Sequence, residues 1–221
     1  IKNGYLTGWG SGADGSGVRV QGWNDDGPTL SDLIISNNFT EGKGGGIYIS
    51  NSEPSLNNIL VSGNTAKEGN GIYIYKNLQP MLTNITIVGN SFYNNGTNGG
   101  GFYNYSSDAI LTNVIIWGNE GEVYNDNGDL TIQYSIIEGG LESIQDNNNN
   151  LIWGAGNLNT DPLFVDADNG NFNLQIDSPA INAGDPNSAA DPDGSIADIG
   201  AFYYHCDTTF DECSICDGDN S

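Results

Sequence analysis

Apolar and polar positions alternate along this chain in short bursts, and the bursts return. PTLSDLIISNN begins at Pro28, PSLNNILVSGN at Pro54, PMLTNITIVGN at Pro80 and AILTNVIIWGN at Ala109. A fainter copy, LTIQYSIIEGG, begins at Leu130. The offsets between Leu30, Leu56, Leu82, Leu111 and Ile132 are 26, 26, 29 and 21 residues. Within each copy the order is apolar, any, polar, apolar, any, apolar, as in Leu56, Asn58, Ile59 and Val61. Period-2 alternation rich in β-branched residues predicts strand. Asp32, Asn58, Asn84 or Asn113 interrupts each burst. Such residues tolerate the left-handed conformation, so the pattern predicts two short strands joined by a bend. A second bend is predicted at Asn38, Asn64, Asn90 and Asn119.

After a variable loop a third strand follows: GGIYI at 45–49, NGIYI at 70–74, GGFYN at 100–104 and EVYN at 122–125. The extra residues of the third copy fall in the loop from Phe92 to Gly101. Three short strands in a unit of this length form one coil of a solenoid, with coils about 4.8 Å apart. No repeat can bury its apolar face alone; stacked neighbours do it. Ile47, Ile72, Phe102 and Val123 make one predicted inward column, and Leu33, Ile59, Ile85 and Val114 another.

At these residues the chain resembles the right-handed parallel β-helix proteins of pectin-lyase-like architecture. The resemblance covers about residues 1–150. It implies an all-β fold of parallel coils. It leaves function open, because such proteins include polysaccharide lyases, glycoside hydrolases, tailspikes, adhesins and domains without known activity.

Charge changes the picture. The chain of 221 residues has 28 acidic and five basic residues, a net charge of −23. This field repels nucleic acid and anionic membranes, and it repels polyuronates unless a divalent cation intervenes. The acidity suits a saline or calcium-rich exterior, and equally suits solubility alone. No apolar run approaches the ~20 residues that span a bilayer. The chain opens on Ile1, and Val18–Val20 align with the third strand, so the expected context is a longer, exported, multidomain chain of extracellular location. A complete cytosolic protein is the alternative.

Residues 151–205 break the repeat. Asp161–Phe164, Gly170–Leu174, Ser178–Gly184 and Asp198–Phe202 resemble the C-terminal element of secreted bacterial β-helix proteins. A last partial coil plus a cap over the solenoid end is predicted, with Leu163, Phe164, Phe172, Leu174, Ile181 and Phe202 as its covering residues. Asp191-Pro192-Asp193-Gly194 lies here, flanked by Asp185 and Asp198. Short Asp-x-Asp spacing delivers two carboxylates from one turn, which makes these four the candidate calcium ligands. Turn-building is the competing use of the same residues. Asp166, Asp168 and Asn169 form a second, weaker cluster. Residues 206–221 carry Cys206, Cys213 and Cys216 and read as a linker or the start of a further module. Disulfides in an exported segment, or zinc with His205, are the two readings of these cysteines.

Catalytic motifs are scarce. Lyases of this architecture use Lys, Arg or His, but Lys43, Lys67 and Lys76 scatter over successive coils and His205 lies beyond them. Asn159-Thr160-Asp161 matches one fragment of the hydrolase pattern without its companion motifs. Asp25-Asp26 is an adjacent pair in a predicted turn. Regular Thr-x-Thr rows, which ice binding would use, do not occur. The expectation is therefore a non-catalytic domain serving as spacer, adhesin or glycan-contacting module, with a polysaccharide-degrading enzyme as the alternative. The outward face of the third strand is the candidate contact surface. Tyr48, Tyr73, Tyr103 and Tyr124 occupy one place in four coils, with Arg19 in the coil before. Such rings suit sugar faces; they equally suit a structural ladder.

Overall fold

A left-handed residue in mid-strand sets the shape of each coil. In the computed structural model, which describes residues 1–6, 14–22, 27–76, 79–96 and 98–205, Asp32, Asn58, Asn84 and Asn113 have φ of 56°, 53°, 54° and 57°. They do not divide the burst into two strands as the alternation predicts. Each burst is one long strand: Thr29–Ser36, Ser55–Ser62, Met81–Val88 and Ala109–Trp117. The pairing passes over the bend, with Asn57 opposite Thr83 and Ile59 opposite Ile85. One extra residue shifts the alternation by one, so Leu56, Ile59 and Val61 all face inward and are fully buried.

Long strands pair in parallel with those of the next coil, and the sheet continues through Leu130–Gln133 to Leu151–Trp153. A second sheet of two-residue strands contains Tyr5–Leu6, Phe39–Thr40, Thr65–Ala66 and Ser91–Phe92. The sequence carries no sign of these, because two residues show no period. The third sheet stacks Val18–Gln21, Ile47–Ser50, Ile72–Tyr75, Phe102–Tyr105, Val123–Asp126 and Gln145–Asp146. Register is strict: Ile47 pairs with Ile72, Ile72 with Phe102 and Phe102 with Val123. Both predicted inward columns belong to one continuous core, with Leu33, in the first long strand, only partly buried. No described helix is long and apolar enough to cross a membrane.

Asparagines hold the coils at the second bend. The side-chain amide of Asn64 donates to Asn90 Oδ1 at 3.0 Å and to the Ile35 carbonyl at 3.0 Å. Its Oδ1 accepts from the backbone N and the Nδ2 of Asn38, each at 2.9 Å. All four hydrogen-bonding positions of a fully buried amide are therefore filled. Asn90 repeats the pattern onto Asn119. Two further ladders run through Asn113, Asn84 and Asn58, and through Asn104 and Asn125. Each row of donors ends on a carboxylate: Glu122, Asp32 and Asp146 respectively. A carboxylate only accepts, so it satisfies a terminal amide without requiring a further rung.

The C-terminal element does not close the solenoid end, as the sequence predicts for it. A hairpin, Phe164–Asp166 with Asn171–Leu174, leads into a strap over the outer face of the long-strand sheet. Leu174, Ala180 and Ile199 pack on Ile115 and Ile136, joined by Phe164 and Ile181. Gly200 N donates to the Asn113 carbonyl (3.0 Å), and Ala201 N to Thr86 Oγ1 (2.9 Å). Leu60, Ile115 and Ile136 on the outward side of these strands are apolar, so this part of the sheet requires cover on both faces. Gly200 has φ +112°, and a Cβ there would lie 2.8 Å from Ile115 Cδ1. Ser178 and Asp198 of the recognised motifs build the strap itself. Ser178 Oγ donates to the Pro162 carbonyl, while Asp198 accepts from the backbone N of Asn182 and Tyr204.

Candidate functional site: the tyrosine face

The third strands point one residue in and the next out, so strict register brings the outward tyrosines directly over one another. Arg19 pairs with Tyr48, Tyr48 with Tyr73, Tyr73 with Tyr103 and Tyr103 with Tyr124. The structure brings all five predicted residues into one row. Ring centroids are 5.6, 4.7 and 4.8 Å apart, with planes within 11° of parallel. The Arg19 guanidinium lies 5.4 Å from the Tyr48 centroid, the cation–π contact that the sequence suggests. Tyr75 and Tyr105 form a flanking stack at 5.4 Å.

This geometry obstructs the use of the ring faces for sugars. The rung spacing equals the stacking distance of two rings, so the faces within the row are filled by neighbours, and Tyr124 ends the row with one face on Tyr103. Tyr73 is 1% exposed and Tyr103 5%. The preceding loops press on the row from one side. Gly69, at φ +55°, lies so close that a Cβ would approach Tyr73 Cβ to 2.7 Å. Burial pushes the Tyr73 and Tyr103 hydroxyls well above the usual phenol range. Lys43 Nζ donates to the Tyr73 hydroxyl at 3.0 Å and pairs with Glu68 at 2.9 Å. Burial lowers the Lys43 pKa, but Glu68 outweighs it and the net shift is upward. Asp14 accepts from Lys43 N at 3.0 Å, and its own burial raises its carboxyl pKa. The sequence places Lys43 in a loop and does not reveal this cluster, because its members come from loops 25 or more residues apart.

Of the four candidate calcium ligands, Asp191, Asp193 and Asp198 lie near one another, but their oxygens are engaged by nearby protein groups. Asp185 Oδ1 accepts from Asn187 N and Nδ2, both at 2.9 Å. Asp193 Oδ1 accepts from Ser195 N and Oγ, and these bonds hold its pKa down. Asp191 Oδ2 accepts from Asp198 N at 2.9 Å. Burial, then the nearby Asp198 charge, pushes Asp191 up to about 6. Burial also raises Asp198. Among the described residues no group of three or more His, Cys, Asp or Glu is placed to hold a metal ion. Asp166 of the second cluster binds Asn169 within one turn. Asp161 Oδ1 accepts from Leu163 N at 2.9 Å, a local turn contact. Asp25, Asp26 and the three cysteines lie outside the described residues; His205 meets Tyr203 edge-on at 6.0 Å.

A carboxyl pair that the sequence does not single out lies at the end of the asparagine ladder. Glu122 is 6% exposed and accepts from Asn119 N (2.9 Å) and Nδ2 (2.8 Å). Glu138 accepts from Gly118 N at 2.7 Å and faces it. Burial, reinforced by Glu138, raises Glu122 to about 7.

The comparisons with known proteins fit this architecture. No curated protein and no solved structure matches the chain significantly. A family described as the right handed beta helix region matches residues 16–161, which takes in the stacked strands from Val18–Gln21 to Leu151–Trp153. By that match and by its parallel, in-register sheets, the chain belongs to the right-handed β-helix family.

Proposed function

We propose that this domain is a non-catalytic, rigid spacer in a secreted or cell-surface protein. One observation carries the reading: the tyrosine row and the asparagine ladders are consumed by contacts between coils. Tyr73 has a ring on each face, and Asn64 has every hydrogen-bonding position filled by protein. Residues spent in this way stiffen a rod. The net charge of −23 keeps such a rod soluble and apart from other anionic surfaces.

The competing reading is a polysaccharide lyase or glycoside hydrolase. It requires two carboxylates, or a base and a cation, around an open cleft. The Glu122–Glu138 pair supports it poorly, because Glu122 is buried with both oxygens engaged by Asn119. The discriminating assay incubates the domain with a panel of neutral and acidic polysaccharides. Unchanged polymer length supports the spacer. Release of unsaturated or reducing sugars, abolished in a Glu122→Gln variant, establishes the enzyme instead.

A further inference from the structure

Tyr5, 69% exposed, stands on the outer face of the two-residue-strand sheet. Register places Tyr5, Phe39, Thr65 and Ser91 in one row. The Tyr5 ring stacks on Phe39 with centroids 4.7 Å apart and planes at 16°. Tyr93 meets Phe39 edge-on at 4.9 Å. Its hydroxyl donates to Glu41 Oε1 at 3.3 Å, two coils back. Tyr93 enters on the one loop that lengthens its repeat to 29 residues. An insertion therefore carries an aromatic ring back over this face.

The contrast with the tyrosine row is physical. There, Tyr73 and Tyr103 have a ring on each face and are buried; here, Tyr5 has one face on Phe39 and remains largely exposed. Hydroxyls of Thr65 and Ser91, 3.1 Å apart, continue the row as polar contacts. Glu41 lies at its rim, and Glu120 accepts from Phe92 N beside it. Lys67 and Lys2 balance these two acids locally, and the negative field at this face comes from the chain's net charge of −23. An exposed aromatic plane favours the apolar C–H face of a sugar ring, and carboxylate and hydroxyl oxygens accept from sugar hydroxyls. The negative surroundings disfavour uronate polymers.

We propose that the face built by Tyr5, Phe39 and Tyr93, with Glu41 at its rim, binds a neutral polysaccharide chain, one sugar lying on Tyr5. The inference goes beyond the spacer reading and does not depend on it, since a rigid rod carries such a patch equally well.

The test is affinity electrophoresis of the whole chain in gels containing hydroxyethyl cellulose, galactomannan, dextran or polygalacturonate, followed by calorimetry on any polymer that retards it. At least one neutral polymer is expected to retard it, and polygalacturonate is not. Tyr5→Ala and Tyr93→Ala are each expected to weaken binding about tenfold, and Tyr5→Phe to preserve it within about twofold. Tyr105→Ala, on the other sheet, serves as control and is expected to bind as wild type. Thermal melts confirm that each variant is folded; Tyr5 is exposed enough for its removal to leave the coils intact. Retardation by no neutral polymer overturns the proposal, as does equal binding to polygalacturonate. Full affinity in both alanine variants overturns the site. None of these outcomes bears on the spacer reading, which fails only if the polymers are cleaved.

Discussion

Replacing Glu122 with glutamine tests the asparagine ladder and its buried terminus together. In the folded protein the carboxyl is 6% exposed and titrates near 7, against 4.5 for a solvated glutamate. Because the folded value is the higher one, the stabilisation it confers is complete below about pH 4.5 and is lost as pH rises through about 7. By linkage, this one group makes the domain about 1 kcal/mol more stable at pH 6 than at pH 8. At pH 8 the full cost of keeping it ionised is about 3 kcal/mol. The Glu122→Gln side chain is uncharged, so it removes that cost and can donate to Glu138. It gives up one of the two acceptors facing Asn119, worth about 1 kcal/mol. The variant is therefore expected to be about 2 kcal/mol more stable than wild type at pH 8, and to lose the increment of about 1 kcal/mol between pH 8 and 6. Urea melts of both proteins at the two pH values, at one ionic strength, measure this directly. Asp191 and the overall charge contribute to both proteins alike and cancel in the difference. An identical pH dependence in the two proteins refutes the assignment of a buried, uncharged Glu122.

Asn64→Ala removes four hydrogen bonds and strands buried donors on Asn38, and is expected to cost about 3–5 kcal/mol in a urea melt; a loss under about 1 kcal/mol contradicts the ladder's role. Gly200→Ala forces a Cβ against Ile115 and Thr86 at an unfavourable φ, costing about 1–3 kcal/mol. Limited proteolysis is expected to release the strap while the coils survive, whereas simultaneous loss of both shows that they fold as one unit. Chelation is expected to leave the melting temperature unchanged, because Asp185 and Asp193 are committed to local turns. A shift of several degrees with EDTA, reversed by calcium, shows a site completed by other oxygens.

Much of this was legible in the sequence because like residues recur at like places. The columns Ile47–Ile72–Phe102–Val123 and Ile59–Ile85–Val114 follow from alternation and offset alone. Asn58 and its equivalents were legible as bends, yet one left-handed residue turns a strand without ending it. The strap's position has a signal in the sequence: Leu60, Ile115 and Ile136 are apolar on the face opposite the core, which asks for lateral cover. The tyrosine row was legible as a row. That its faces are closed follows from the distance between coils, and its loop partners Asp14, Lys43 and Glu68 share no spacing that sequence could reveal. Tyr93 was hidden for the opposite reason, since an irregular loop brings it back over two coils.

The amide ladder at Asn64 has a direction, each amide donating to the asparagine of the next coil and accepting from that of the previous one. A duplicated segment of 26 residues, inserted whole between two coils, arrives with its own asparagine already oriented and leaves no group unmatched. Loss or gain of a fraction of that segment breaks the chain of donors inside the core. The length of this rod is thus adjustable in whole steps of about 4.8 Å, and in no smaller ones.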